Sequence, residues 1–148
     1  MPEFRYADGR ILESIRYMSE ELMEFQKDYS GRSWKEYKTD RRLQKLIDRT
    51  VENVLTALIE VCGTFLTEEG FAVESYADAL RKTAEKLGFD EKEQDDLAAL
   101  AIHRNRLAHR YLNFRWQTIR FFTEKRELIS DLLARILARE EKRSHANR

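Results

Sequence analysis

Residues 39–68 read TDRRLQKLIDRTVENVLTALIEVCGTFLTE. The apolar positions Leu43, Leu46, Ile47, Val51, Val54, Leu55, Leu58, Ile59, Cys62 and Phe65 fall on one side of a helix, in the i, i+3, i+4, i+7 rhythm of the α-helical period. The stripe is wide, and the stretch holds neither Pro nor more than one Gly. It predicts a long helix from about Thr39 to Glu68 at the centre of a bundle, with neighbours on several sides. Glu60 lies beside this stripe, either as a rim residue paired to a nearby Arg or as a residue facing a site.

Working outward, Arg10 to about Tyr29 carries Ile11, Ile15, Met18, Leu22 and Phe25 at alternating steps of four and three. That spacing predicts an amphipathic helix with one narrow stripe, suited to a bundle or to a second copy of the chain. Ser33-Trp34-Lys35-Glu36 has capping-box form and predicts a short turn of helix. Gly70 is placed to end the long helix. Ser75 to Leu87 reads as a short helix stopped by Gly88, with Ala77, Leu80, Ala84 and Leu87 inward. Asp90 and Glu93 open a further helix that carries Leu97, Leu100 and Ala101. Asn113 is placed as a break, and a last helix is expected from about Arg115 to Glu140. No internal repeat or linker is visible. The expected fold is all-α, an up-and-down bundle of four to five helices in one domain over residues 1–148, with loose ends at 1–9 and 141–148.

Composition agrees with this. Of 148 residues, 42% are apolar and 36% charged, enough apolar side chains for a core under a heavily charged surface. Five Gly and one Pro leave little loop material. The net charge is zero, so no overall field advertises nucleic acid, but its distribution is uneven. Residues 103–126 hold Arg104, Arg106, Arg110, Arg115, Arg120, Lys125 and Arg126 against Glu124 alone, a candidate basic patch. Cys62 is the single cysteine and lies in an apolar run, which suits a buried structural thiol in a reducing cytoplasm. No apolar run approaches membrane-spanning length and the N-terminus lacks a signal-peptide core, so neither a membrane nor export is expected. His103 and His109 point to different helix faces, His145 is in the tail, and there is no Cys cluster, Gly-rich phosphate loop or nucleophile elbow. No metal or cofactor is expected.

The residues that carry chemistry lie in 104–111, Arg-Asn-Arg-Leu-Ala-His-Arg-Tyr. Arg104 offers a permanent charge and a bidentate fork for phosphate oxygens, and His109 can carry a proton near neutrality. On one unbroken helix Tyr111 would share a face with Arg104, while His109 would lie about 140° around. Arg104 and His109 therefore meet one phosphate only if the helix ends near His109 or a second copy completes the site. From local chemistry alone Arg104 also reads as a surface ion-pair partner and His109 as a satisfied helix-end residue. Phe114 and Trp116 read as bundle core in preference to base-stacking platforms.

The run resembles the signature of the HEPN superfamily, an Arg followed after four to six residues by His. It is most similar to the HepT-like subgroup, whose pattern is Arg-Asn, a short apolar pair, His, any residue, Tyr. Arg104-Asn105, Leu107-Ala108, His109 and Tyr111 fit it. Ala108 stands where Val is commoner, Arg106 where an aliphatic residue is, and Leu112-Asn113-Phe114 where an acid often follows the Tyr. A Glu is common in such proteins near the position of Glu60. The resemblance implies the toxin of a toxin–antitoxin pair, a homodimer whose two motifs meet in a cleft and cut RNA without a metal. His109 would carry the proton, Arg104 clamp the phosphate, and Asn105, Arg110 and Glu60 line the site. It also implies a minimal nucleotidyltransferase as antitoxin, which adds AMP to Tyr111. The alternative is a non-catalytic nucleotide- or substrate-binding subunit of a two-component nucleotidyltransferase, gripping phosphate with Arg104, His109 and Arg110.

Overall fold

The computed structural model describes residues 10–146, with side chains as far as Arg143. These residues form helices and short turns, with no strand among them. The elements are α1 (Arg10–Asp28), α2 (Trp34–Thr39), α3 (Arg41–Glu68), α4 (Tyr76–Lys86), α5 (Glu91–Arg106), α6 (Leu112–Glu124) and α7 (Arg126–Ala146). The all-α bundle expected from the sequence is the one observed.

Helix starts follow the capping chemistry. Ser33 and Glu36 close a reciprocal capping box, as do Asp90 and Glu93; Asp40 caps α3 through the Leu43 N–H at 3.0 Å, and Ser75 caps α4. α3 ends at Gly70, whose φ of +85° lets the Phe71 N–H reach back to the Leu66 carbonyl at 2.8 Å, a reversal that a side chain would strain.

α3 is the axis of the bundle. Val51, Val54, Leu58, Cys62, Phe65 and Leu66 are fully buried, and α1, α2, α4, α5 and α6 all pack on it. Leu46, placed on its inward stripe by spacing, is instead exposed. By length and composition α3 is also the one described helix that could cross a membrane, but 67% of that stretch is buried inside the bundle. All five stripe residues of α1 are buried, and Phe25 meets Phe122 of α6 edge to face at 4.9 Å. Burial pushes the Cys62 thiol up to about 12, as befits a structural cysteine.

The last expected helix is two. The chain turns at Lys125, whose ammonium is held by Asp96 of α5 at 3.0 Å. α6 begins at Leu112, so Asn113 lies inside a helix and the break falls earlier, over residues 107–111. α7 runs past Glu140 to Ala146, because Arg143 pairs with Glu68 at the end of α3 and with Glu140. Residues 141–146, read as a loose end, are thus helical, and residues 1–9 lie outside the described residues.

Candidate active site

α5 stops at Arg106 without a glycine or proline. Two short i→i+3 bonds tighten its end, from the Leu107 N–H to the Arg104 carbonyl (3.2 Å) and from the His109 N–H to the Arg106 carbonyl (3.0 Å). Leu107 is buried and pins the turn to the core, and Tyr111 is extended as the residue before α6. The helix therefore ends before His109. The face shared by Arg104 and Tyr111 on a continuous helix does not exist: the two residues stand on either side of the break, and Tyr111 belongs to the start of α6.

Arg104 leans onto α3. Its Nε donates to the Thr56 hydroxyl at 2.9 Å in a half-buried contact. With Nε engaged, the two terminal nitrogens remain as a forked donor end for an anion. Glu60, exposed, lies one turn beyond Thr56 on the same flank of α3. Asn105 is exposed on the last turn of α5. Thr56 is a residue that the sequence left unmarked. Its only signal is its position four residues before Glu60, at the polar edge of the stripe.

His109 is exposed and is held by the turn itself. The Tyr111 N–H points at its Nδ1 at 3.3 Å. A backbone N–H can only donate, so Nδ1 accepts and the neutral ring carries its proton on Nε2. The imidazole sits beside two aromatic rings, with centroids 5.0 Å away for Tyr111 and 4.9 Å for Phe114. Arg110 lies over the Tyr111 ring at 5.4 Å. Tyr111 is 51% exposed and Phe114 38%, so neither is a core residue. Among the described residues no hydrogen bond or ion pair joins Arg104 to His109.

The neighbouring polar residues are structural. His103 donates from Nδ1 to the Thr118 hydroxyl, whose own proton is given to the His103 carbonyl at 3.1 Å. Its ring stacks on Phe121 at 4.3 Å, and burial, helped by Arg106, pushes its pKa down. Arg115 is bound to Asp48 at 2.8 Å, and Asp48 also accepts from the buried Tyr37 hydroxyl at 2.6 Å. Burial pushes the Asp48 carboxyl up against the opposing pull of Tyr37 and Arg115. Trp116 is half-buried, packed against the edge of the core with its ring beside Tyr37 and Trp34. The basic patch read from the sequence is thus thinned, since Arg115 and Lys125 are neutralised by carboxylates. Among the described residues Arg104, Arg106 and Arg110 have no acidic partner within ion-pair distance.

A groove of about 500 Å³ lies elsewhere, between α1 and α7, lined by Ile15, Leu22, Met23, Arg126 and Leu137 among others and by no motif residue. Among the described residues no group of three or more His, Cys, Asp or Glu is arranged to hold a metal ion. The chemistry concentrated at the α5–α6 break is a guanidinium fork, a fixed imidazole and exposed aromatic rings, a set suited to a phosphate flanked by bases.

The sequence pattern of the family described as Ribonuclease HepT-like matches residues 18–136, from the middle of α1 to α7, and the chain belongs to the HepT-like family. No curated protein matches the chain. Membership implies a ribonuclease of the toxin type, acting on RNA.

Proposed function

We propose that the protein is the toxin of a toxin–antitoxin pair, a homodimeric, metal-independent endoribonuclease of a prokaryotic cytoplasm, with its site at the α5–α6 break. The observation that carries this reading is the contrast between how the two polar residues are held and what they leave available. Arg104 is oriented by a neutral hydroxyl and, among the described residues, by no carboxylate, while the exposed His109 is oriented through Nδ1 by a backbone N–H.

RNA carries its own nucleophile. The 2′-oxygen attacks the adjacent phosphorus, the P–O5′ bond breaks, and a 2′,3′-cyclic phosphate and a 5′-hydroxyl result. His109 in its imidazolium form, whose Nδ1–H has let go of the Tyr111 N–H, donates the Nε2 proton to the departing 5′-oxygen and returns to the neutral ring, while Arg104 stabilises charge growing on the non-bridging oxygens. The 2′-hydroxyl proton passes to a second base. In a dimer the counterpart histidine supplies one, as a neutral ring that has turned away from its Tyr111 N–H and carries its proton on Nδ1, leaving Nε2 free to accept. Asn105, Arg110 and Glu60 line the site.

The antitoxin in this reading is a minimal nucleotidyltransferase that transfers AMP to Tyr111. The tyrosyl oxygen bonds to the α-phosphorus of ATP, pyrophosphate leaves, and the hydroxyl proton goes to a base of that enzyme. Because Tyr111 touches His109 and Arg110 rather than sharing a helix face with Arg104, the adduct would silence the site by covering His109 and placing a phosphate beside Arg110.

The test is cleavage of RNA by the purified protein in EDTA, with light scattering in parallel. Twice the chain mass and products ending in cyclic phosphate are expected. Replacing His109 by Ala should lower cleavage about 10²–10⁴-fold with an unchanged melting curve. Full activity of that variant, or of a clean monomer, sinks the proposal. Co-expression with the partner nucleotidyltransferase should add the mass of AMP at Tyr111, and an adduct elsewhere removes the control mechanism.

A further inference from the structure

We infer that Phe114, with Tyr111 as its side wall, forms a stacking subsite for one unpaired nucleobase of the RNA next to the phosphate held at His109. The inference rests on the ribonuclease reading for the identity of the ligand and adds to it a binding residue and a preference for single-stranded RNA.

Phe114 follows the motif on the first turn of α6, where an amphipathic helix would turn such a ring inward. It is nevertheless 38% exposed, and the equally large Tyr111 beside it is 51% exposed. Two large apolar rings left in water within about one ring diameter of a candidate proton carrier have no role in the core. The interplanar angles are 69° between Phe114 and His109 and 62° between Phe114 and Tyr111. Neither neighbour lies parallel to Phe114, so neither is stacked on it. Tyr111, by contrast, already has Arg110 over its ring.

The ligand chemistry follows from the surroundings. Every base has a π-face, and aromatic stacking of an unpaired base is sequence-tolerant, whereas a base inside a duplex has both faces covered. Arg110, without an acidic partner among the described residues, lies over the Tyr111 ring and suits the backbone on which such a base is carried. A base seated on Phe114 would place its attached phosphate near the imidazole, whose centroid is 4.9 Å from the phenyl ring. Stacking would thus position the substrate as well as bind it.

The experiment is fluorescence anisotropy with a short, unstructured, labelled oligoribonucleotide, together with a set in which a single abasic residue is walked along the same sequence. Phe114→Ala should weaken binding about tenfold, and Phe114→Trp should restore it. One abasic position should weaken binding to the wild type by a similar factor and have no effect in Phe114→Ala, because the two changes remove the same contact. Light scattering on each variant reports whether the patch instead holds a second copy of the chain. Unchanged affinity in Phe114→Ala, an abasic penalty that persists in it, or a dimer that falls apart on the substitution each overturns the inference. A wild type that binds the oligonucleotide without cutting it removes the ribonuclease reading and leaves stacking to be judged by binding alone.

Discussion

Thr56→Val tests whether Arg104 is aimed or merely present. Valine keeps the shape of threonine and removes the acceptor 2.9 Å from the Arg104 Nε. A hydrogen bond to a charged donor contributes about 1.5–3 kcal/mol. The contact is only half-buried, so water replaces part of it, and the lower end of that range applies. At about 1.4 kcal/mol per tenfold change, cleavage should fall about tenfold if the bond holds the guanidinium fork where the phosphate charge grows. Folding should respond less, because Thr and Val have similar helix propensities and no core contact is lost, so a destabilisation under about 1 kcal/mol is expected. Thr56→Ser returns the hydroxyl and should recover most of the rate. The assay is kcat/KM on RNA beside a thermal melt for each variant. If Thr56→Val cleaves like wild type, or if Thr56→Ser is as weak as Thr56→Val, the aiming argument fails. If the melt falls in step with the rate, Thr56 supports the fold and not the site.

Arg115→Met should cost about 3 kcal/mol of stability, read from denaturant midpoints, because it strands the largely buried Asp48 carboxylate beside Tyr37; a loss under about 1 kcal/mol would place that pair among weak surface bridges. His103 gives a pH dependence. Its folded pKa lies below the ordinary 6.5, since burial and then Arg106 disfavour its charge. The unfolded chain then binds the proton more readily, so this contribution is complete above pH 6.5 and is lost as pH falls from there through the folded pKa. Melting temperature should drop over that window, and His103→Gln should flatten the slope; an identical slope in the variant assigns the acid sensitivity to other groups.

Much of the fold was legible because it rests on local rules. The caps at Ser33 and Asp90 and the stop at Gly70 are all in place, and the stripes of α1 and α3 are buried apart from Leu46. The breaks near the motif were not legible, for one reason. Neither uses a glycine or proline. The stop after Arg106 is made by the burial of Leu107 and two short backbone bonds, and the turn at Lys125 by an ion pair to Asp96, a residue 29 positions away. Tertiary contacts of that kind leave no local mark, and Asn113, a residue type common at helix ends, lies inside α6 instead. The candidate residues were legible as a string, and their geometry was not, since the geometry depends on where α5 stops.

What separates the candidate site from its structural neighbours is what holds each charge. Arg115 and Lys125 are held by carboxylates, which fix the side chain and cancel its charge in the same contact. Arg104 is fixed by a hydroxyl and His109 by a backbone N–H, which orient without neutralising. A guanidinium that must meet a phosphate needs its charge intact, because an acid at the fork would compete with the ligand for the same donors. The helix break serves the same end. A continuous α5 would direct His109 about 140° away from Arg104 and engage its backbone in the ladder. The break frees the Tyr111 N–H to fix the imidazole and leaves His109 exposed beside two exposed aromatics. The motif is therefore better described as a helix stop carrying two uncancelled polar groups than as one face of a helix.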